Sequence, residues 1–272
     1  MIVVSARARP VVRLALLRLT RIAPRVTRMV AGGADIARLD PGPFTDSHIR
    51  IVFPRPGIAY PADLDLRHIH ATLPRSAWPR TRTYTIRAFD AAAGELTIDF
   101  YHHGRPGLTP TWLAGLKPGD PVLLREPRGL YRPRPVAGWH LLAGDAVALP
   151  AIAVTLEAMT AGMRARVIVE VVDEYDEQPL PTAADADIRW IHTARGDSLA
   201  TAVRSLAFEP GVVQAFVHGE GAVIRGLRRH LLDERGVARD LLSISGYWRR
   251  GLTDEQWREW KARQAGRCPD RD

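Results

Sequence analysis

The hydrophobic pattern changes period about halfway along this chain, and this change constrains the fold more than any other feature. In the first half, apolar residues alternate with polar ones, as Leu96, Ile98 and Phe100 do within residues 95–100. An alternation of period two predicts β-strands. In the second half, short apolar strands alternate with segments of helical length. The sequence therefore predicts a β-domain followed by an α/β domain.

Each half predicts its own architecture. Short strands with prolines between them predict a small antiparallel barrel, with strands at 48–53, 82–88, 95–100 and 121–125. The alternating second half predicts a doubly wound, mostly parallel sheet, with strands at 139–143, 166–172, 188–192, 212–217 and 241–247. Its predicted helices are 148–161, 199–208, 220–234 and 254–264. The Pro/Arg-rich segment 131–138 is the predicted boundary, which gives domains of 1–135 and 136–272.

The net charge of the chain allows two interpretations. Of its 272 residues, 38 are basic and 30 acidic, giving a formal net charge of +8. Nearly all the basic residues are Arg, so the excess is either an ordinary solvated surface or a field that attracts anionic ligands and acidic proteins. We find no helix-turn-helix, zinc-finger or RNP-like pattern, so we expect no nucleic-acid partner.

Cysteine content and apolar runs indicate where the protein works. The single cysteine, Cys268, excludes a disulfide within the chain and clusters or zinc held by several cysteines. The apolar residues 11–19 are interrupted by Arg13 and Arg18, so no signal peptide is expected. The run at 141–156 is too short to span a bilayer. We expect a cytoplasmic protein with no integral membrane association.

Residues 82–87 carry side chains suited to a flavin dinucleotide. Arg82 can clamp a pyrophosphate with two hydrogen bonds. Tyr84 can lie against an isoalloxazine ring, and the hydroxyl of Thr85 can bond the flavin edge. Thr83 lies between them on the same strand. A plain exposed strand would also explain this pattern if it stood alone.

Three other segments place candidate ligand-binding residues at the ends of predicted strands or helices. The first runs from His103-Gly104 to Thr111-Trp112, where a Thr-rich helix start offers free N–H groups to an anion. Its two adjacent histidines lack further ligands at metal spacing, so we predict no metal site. The second is the turn from Gly144-Asp145 to Ala148, after the first strand of the α/β half. The third is Tyr247-Trp248-Arg249 after the last strand, where either an anionic ligand or an acidic neighbour can meet Arg249.

Taken in order, these motifs resemble the siderophore-interacting protein family of flavin-dependent ferric-siderophore reductases. The matching text is Arg82-Thr-Tyr-Thr-Ile-Arg87, His103-Gly104, Pro110-Thr-Trp112, Lys117-Pro-Gly-Asp120, Pro127-Arg-Gly129, Gly144-Asp145, Ala148-Leu-Pro-Ala151, His218-Gly-Glu220 and Gly246-Tyr-Trp-Arg249. The similarity extends from about residue 20 to about residue 260. Family members usually carry Thr where this chain has Val147.

The resemblance implies FAD as cofactor. It implies that Arg82, Thr83, Tyr84 and Thr85 hold the flavin, that His103, Gly104, Thr111 and Trp112 line the dinucleotide, and that Asp145 and Ala148 meet its adenosine part. Arg80, Tyr247, Trp248 and Arg249 are the candidates for contact with a ferric siderophore.

The resemblance also implies the reaction. Electrons pass through FAD from NADH, NADPH or ferredoxin to Fe(III) in a siderophore, without a general base or nucleophile. Two alternatives stay open: a general NAD(P)H flavin or ferredoxin oxidoreductase, and a non-catalytic siderophore-binding flavoprotein. We expect a monomer.

Overall fold

The computed structural model describes residues 11–104 and 106–265. The chain divides into two compact units between Leu130 and Tyr131. We call these unit 1 and unit 2 and describe each by itself. The division falls a few residues before the boundary predicted between positions 135 and 136. Cys268 lies outside the described residues.

Unit 1 is an antiparallel sheet of seven strands that closes toward a barrel. The strands are β1 (Val12–Ala23), β2 (Val26–Gly32), β3 (His48–Phe53), β4 (Arg80–Thr85), β5 (Ala88–Asp90), β6 (Glu95–Tyr101) and β7 (Pro121–Arg128). Their order is β4-β3-β7-β1-β2-β6-β5. The end strands β4 and β5 are consecutive in the chain, and the N–H of Arg87 between them donates to the carbonyl of Thr97 on β6, at 2.9 Å. This link brings the two ends of the sheet together.

The core of unit 1 consists of the inward residues of these strands. They include Leu14 and Leu16 of β1, Ile49 and Ile51 of β3, and Phe100 of β6, all fully buried. Two short helices flank the sheet, α1 (Leu66–Thr72) and α2 (Leu108–Gly115). Helix α2 packs on this core, whereas α1 packs on a separate cluster on the outer side of β3 and β7.

Unit 2 is a parallel sheet of five strands. The strands are β8 (Trp139–Asp145), β9 (Arg164–Val171), β10 (Asp185–His192), β11 (Val213–Glu220) and β12 (Leu242–Trp248), in the order β10-β9-β8-β11-β12. The helices are α3 (Leu149–Ala158), α4 (Leu199–Ser205), α5 (Gly221–Arg229) and α6 (Asp254–Ala265). From β8 the chain adds β9 and β10 on one side of the sheet and then crosses back to add β11 and β12 on the other side of β8. The position between β8 and β11 is therefore the topological switch point, where sheets of this kind bind ligands.

Helices cover both faces of the unit 2 sheet. Leu141 and Ala143 of β8 lie in one apolar cluster with residues of α4 and α5. Gly144 points the other way, because a Cβ atom there would come within 3.3 Å of Ile152 on α3. Neighbouring strand residues face opposite sides, so the predicted doubly wound fold is confirmed.

The structure also contains elements that the sequence pattern did not identify. The sequence pattern does not predict strands β1 and β2, because Arg13 and Arg18 interrupt the apolar run at residues 11–19. Arg13 and Leu17 are the outward positions of an alternation whose inward members are Val12, Leu14 and Leu16. Helix α1 was also missed. The helix predicted at 220–234 is α5 followed by a π-helical turn, His230–Glu234. No helix in the described ranges combines the length and apolarity that crossing a bilayer requires.

Candidate functional site

Strand β4 presents its site residues on two faces. In register with β3, Arg82 lies opposite Ile51 and Tyr84 opposite Ile49. Both isoleucines belong to the barrel core, so Arg82 and Tyr84 share the inward-facing side of the strand. Thr83 and Thr85 lie on its outward side by alternation. The strand therefore places the predicted pyrophosphate clamp and the predicted ring contact side by side, two residues apart.

Tyr84 connects this strand to the start of α2. Its phenolic oxygen lies 2.6 Å from Oγ1 of Thr109, in the first turn of the helix. Its ring packs on Phe100, with 4.5 Å between centroids. Trp112, one turn further along α2, packs on Phe53 at 5.1 Å. The fold therefore brings the 82–85 segment and the helix at 108–115 together, although the sequence separates them by more than 20 residues.

The N-terminus of α2 lacks a capping side chain. Gly107 is the N-cap residue, and within the described residues no side-chain cap bonds the first-turn N–H groups, which belong to Leu108 and Thr109 because Pro110 has none. Such a turn offers N–H donors and the positive end of the helix dipole to an anion. Thr111 is exposed on the same helix. Gly104 has a φ of +68°, a left-handed conformation that suits glycine, and a side chain there would enter open space.

The two adjacent histidines have different surroundings. The ring of His102 lies 2.8 Å from Oγ1 of Thr27 on β2. His103 is exposed and packs edge-on against Tyr101, at 5.1 Å. Within the described ranges, no three His, Cys, Asp or Glu side chains gather closely enough to hold a metal ion.

In unit 2, Asp145 ends β8 and organises the turn into α3. Its Oδ1 accepts hydrogen bonds from the N–H groups of Val147 and Ala148, at 3.0 and 3.3 Å. Its Oδ2 accepts one from the indole of Trp248, at 2.7 Å. Ala148 is fully buried. Asp145 and Ala148, the two residues predicted to contact adenosine, are thus structural parts of this turn. Their contact with a dinucleotide stays a prediction.

The carboxyl group of Asp145 titrates in an unusual range. Burial raises its pKa from 3.8 to about 6, even though the hydrogen bonds from Trp248, Val147 and Ala148 lower it. Neighbouring Glu170 on β9 adds to the rise. Gly219 of β11 approaches closely, since a Cβ atom there would lie 2.8 Å from Oδ2 of Asp145. The switch point therefore holds a packed, weakly acidic carboxyl group.

Arg249 pairs with an acidic neighbour at the end of the sheet. Its Nε lies 3.8 Å from Oε1 of Glu220. Glu220 also caps α5, with Oε2 accepting hydrogen bonds from the N–H groups of Ala222 and Val223. Burial alone would raise the pKa of Glu220, but these hydrogen bonds, one from the N–H of Arg250 and the charge of Arg249 together lower it. The sequence left open whether Arg249 meets an acidic neighbour or an anionic ligand, and the structure shows the acidic neighbour, Glu220. Contact of Arg249 with a substrate stays a prediction.

Tyr247, the third candidate on this strand, packs beside a buried histidine. The rings of Tyr247 and His218 lie 4.8 Å apart, and Phe216 stacks on His218 at 4.0 Å. Nε2 of His218 lies 2.9 Å from the hydroxyl of Ser243, whereas its buried Nδ1 has no hydrogen-bond partner among the described residues. Burial lowers the pKa of His218 to about 3. The imidazole is therefore neutral at physiological pH.

Helix α6 lies against the same end of the sheet. Trp257 is buried, and its indole donates to the carbonyl of Gly246 at 3.3 Å. A Cβ atom at Gly221 would lie 2.7 Å from the indole of Trp257. Trp260 stacks on Trp257 at 5.0 Å. Two glycines thus make the space that the indole of Trp257 fills.

Comparison with known proteins identifies the family. Residues 15–131 match the model of the siderophore-interacting FAD-binding domain, and residues 137–251 match the model of siderophore-interacting proteins. An uncharacterised protein of Mycobacterium tuberculosis is 42% identical over 258 residues, covering 88% of this chain and 90% of that protein.

The chain belongs to the siderophore-interacting protein family.

Two further relatives carry functional names. The ferric vibriobactin reductase ViuB of Vibrio cholerae is 30% identical, over 88% of this chain and 89% of that protein. A siderophore utilization protein from T. fusca has 32% identity and a TM-score of 0.77, covering 91% of this chain and 96% of that one. The family membership predicted from the motifs is confirmed, and so is the FAD-binding character of the first half.

The residues of unit 1 fit the FAD that the family implies. Pyrophosphate needs cationic and N–H donors, and these are present as the guanidinium of Arg82 and the uncapped start of α2. An isoalloxazine ring needs an aromatic face, and Tyr84 supplies one whose orientation is fixed by Thr109 and Phe100. Sequence reasoning did not include Thr109 or Phe100 among the site residues. The pairing of Tyr84 with Thr109 depends on the tertiary fold, although Thr109 lies in the same Thr-Pro-Thr motif.

Proposed function

We propose that this protein is an FAD-dependent ferric-siderophore reductase. The observation that carries the proposal is the contact between Tyr84 and the first turn of α2, which joins two FAD-binding motifs in one site within unit 1. The names of relatives support the reaction, since ViuB is a ferric vibriobactin reductase. Fe(II) binds oxygen chelators more weakly than Fe(III), so reduction of the iron in its chelate releases it.

The side chains of unit 1 bind and orient the cofactor in this proposal. Arg82 and the N–H groups at the start of α2 would hold the pyrophosphate, and Tyr84 would offer its aromatic face to the ring. Thr109 positions the phenol of Tyr84, and Trp112 anchors the helix on the barrel core. Bound FAD supplies the chemistry of accepting two electrons and releasing them one at a time.

Our candidates for contact with a ferric siderophore are Arg80, in unit 1, and, taken separately, Tyr247, Trp248 and Arg249, in unit 2. The proposed electron donor is NADH, NADPH or ferredoxin. The basic character of the chain supports an anionic substrate. Since Arg249 is already paired with Glu220, Arg80, which is exposed on β4, is the stronger candidate for first contact. The proposed location is the cytoplasm, which a chain with a single cysteine supports. The proposed working form is a monomer.

A reduction assay tests the proposal. The FAD-loaded protein is reduced anaerobically with one equivalent of dithionite and mixed with a ferric catecholate chelate in the presence of a ferrous-specific dye. We expect flavin absorbance to return as the ferrous dye complex appears. A protein that binds the chelate without either change is a binding module. A protein that reduces free flavin but not the chelate is a general flavin reductase.

A further inference from the structure

The described residues leave the outer side of β10, the end strand of the unit 2 sheet, open. On its inner side β10 pairs with β9, and the N–H of Asp185 donates to the carbonyl of Met163 at 2.9 Å. Because main-chain groups point to alternate sides along a strand, the odd-numbered residues bond β9 and the even-numbered ones point outward. At His192 the outward N–H and carbonyl groups bond Asp197 in the next turn. The remaining outward residues are Ala186, Ile188 and Trp190.

The opposite end of the same sheet, β12, is covered by side chains. The carbonyl of Ile244 accepts a hydrogen bond from the guanidinium of Arg228 at 2.7 Å, and the carbonyl of Gly246 accepts one from the indole of Trp257 at 3.3 Å. Such cover is usual, because the unpaired main-chain groups of an end strand recruit other chains. Residues 186–190 of β10 have no such cover among the described residues. This stretch is therefore available to pair with another strand.

The side chains of β10 form a self-complementary pattern about Ile188. Asp187 and Arg189 flank it and are exposed, and neither forms an ion pair with another described residue. Ala186 and Trp190 lie one position further out, half-buried on the other face of the sheet. If a second copy lies antiparallel with its Ile188 opposite this Ile188, each Asp187 faces an Arg189. Each small Ala186 then faces a large Trp190.

This register suits the main chain, and the charges favour it over its neighbours. Even-numbered residues face even-numbered ones, so the outward N–H groups of one copy meet the outward carbonyl groups of the other. Asp187 and Arg189 would have Cβ atoms about 5 Å apart, a spacing at which opposite charges stabilise a strand pair. A register centred on Asp187 or on Arg189 would instead place two like charges opposite each other, which destabilises the pair.

We propose that β10 pairs with β10 of a second copy of this chain, antiparallel about Ile188, to form a reversible dimer. The same edge is used by both copies, so association stops at the dimer. A contact of one strand pair is smaller than the interface of a permanent dimer, so the dimer forms at high protein concentration. The residues proposed to bind FAD lie in unit 1 of each copy. The proposed reaction therefore needs no second copy, and the monomer remains its working form.

Charge swaps at the paired positions test this inference. In Asp187→Arg and in Arg189→Asp, each homodimer sets like charges opposite each other, whereas an equal mixture of the two variants sets opposite charges at both positions. Sedimentation velocity of FAD-loaded protein at rising concentration measures the Kd of the dimer. We expect the Kd of each variant alone to rise at least about tenfold, and the mixture to regain the association of wild type. Asp233→Arg, an exposed change in the turn after α5 that alters the net charge as Asp187→Arg does, should dimerise like wild type.

A cross-linking arm reports the register directly. In a Cys268→Ser background, Ile188→Cys would bring two thiols opposite each other at a Cα spacing of about 5.5 Å, which a disulfide can bridge. Ala186→Cys would face Trp190 instead and should not cross-link, and circular dichroism checks that every variant is folded. Wild type that stays monomeric at all concentrations would overturn the inference. So would Asp187→Arg that dimerises like wild type, a mixture that does not regain association, or assemblies larger than a dimer. None of these results bears on the reduction assay.

Discussion

The indole nitrogen of Trp248 donates a 2.7 Å hydrogen bond to the carboxylate of Asp145, joining the ends of two strands 103 residues apart. Strand β11 lies between β8 and β12 in the sheet, so this bond spans the switch point. Gly219 of β11 leaves room for this hydrogen bond, because a side chain there would collide with the carboxylate. The buried carboxyl group of Asp145, at the end of β8, thus contacts the ends of β11 and β12 as well.

Removing the indole donor should destabilise unit 2. In Trp248→Phe, Oδ2 of Asp145 loses its partner, and an unsatisfied buried acceptor costs about 1–3 kcal/mol. Urea denaturation followed by circular dichroism measures the loss. Trp190→Phe, on β10 at the far edge of the sheet, is the matched control. Equal stability of the two variants would show that the hydrogen bond contributes nothing.

The raised pKa of Asp145 should appear in the pH dependence of stability. Its pKa is about 6 in the folded protein, against 3.8 for an unperturbed Asp carboxyl group, so the folded state binds the proton more tightly. The resulting stabilisation is fully present below pH 3.8 and is lost as the pH rises through about 6. A difference of about two pKa units corresponds to about 3 kcal/mol.

The Asp145→Asn variant isolates this contribution. Wild type should lose stability relative to the variant as the pH rises from about 4 to about 6.5, and the difference should be constant above that range. Denaturation midpoints at several pH values measure it. Asp187→Asn, an exposed change on β10, should leave the pH profile of wild type unaltered. Parallel profiles for wild type and Asp145→Asn would refute the assignment.

Two glycines of α5 should respond oppositely to alanine. A Cβ atom at Gly221 would meet the indole of Trp257 at 2.7 Å, whereas one at Gly226 would meet only the guanidinium of Arg204, at 3.8 Å. Gly221→Ala should therefore displace Trp257 and cost about 1–3 kcal/mol. Gly226→Ala should stabilise the helix by about 0.5–1 kcal/mol. Thermal melts and tryptophan emission distinguish the two, and equal effects would contradict the close approach of α6.

Loss of Arg82 should weaken the binding of FAD. A charge-assisted bidentate contact contributes about 2–3 kcal/mol, so Arg82→Ala should raise the Kd of FAD by about 30- to 150-fold. Quenching of flavin fluorescence on titration into apoprotein measures this without an activity assay. Arg189→Ala serves as control, and full retention of FAD in Arg82→Ala would mean that the strand is purely structural.

The position of Tyr84 predicts a graded series. Tyr84→Phe removes the hydrogen bond to Thr109 and keeps the ring on Phe100, so it should lower FAD affinity less than Tyr84→Ala does. The same titration measures both variants. The flavin spectrum should shift chiefly in Tyr84→Ala, because stacking depends on the ring. An order reversed from this would place the phenol, rather than the ring, in contact with the flavin.

The sequence predicted the central strands β8, β9 and β11 of unit 2 well because buried parallel strands are largely apolar runs bounded by turns. It missed β1, whose outward Arg13 and Arg18 look like interruptions until a neighbouring strand shows which face is buried. It also missed α1, which has seven residues in a turn-rich segment and owes its order to packing.

In the candidate site, too, some features could be predicted from the sequence and others could not. Arg82 and Tyr84 could be identified by residue type and spacing along one strand. The contact of Tyr84 with Thr109 and the pair of Arg249 with Glu220 depend on register and on how helices pack. Residue type predicts chemistry, whereas partners follow from topology.

Among the strands that the structure describes, β4 has one neighbour in the sheet, β3, and this has a consequence for handling the protein. An end strand can recruit another chain through its main-chain groups. A dinucleotide lying along β4 would occupy that side, while Arg80 and Arg82 repel a second copy of the same strand. Apoprotein should therefore self-associate more readily than flavin-loaded protein, and purification in the presence of FAD should suppress aggregation.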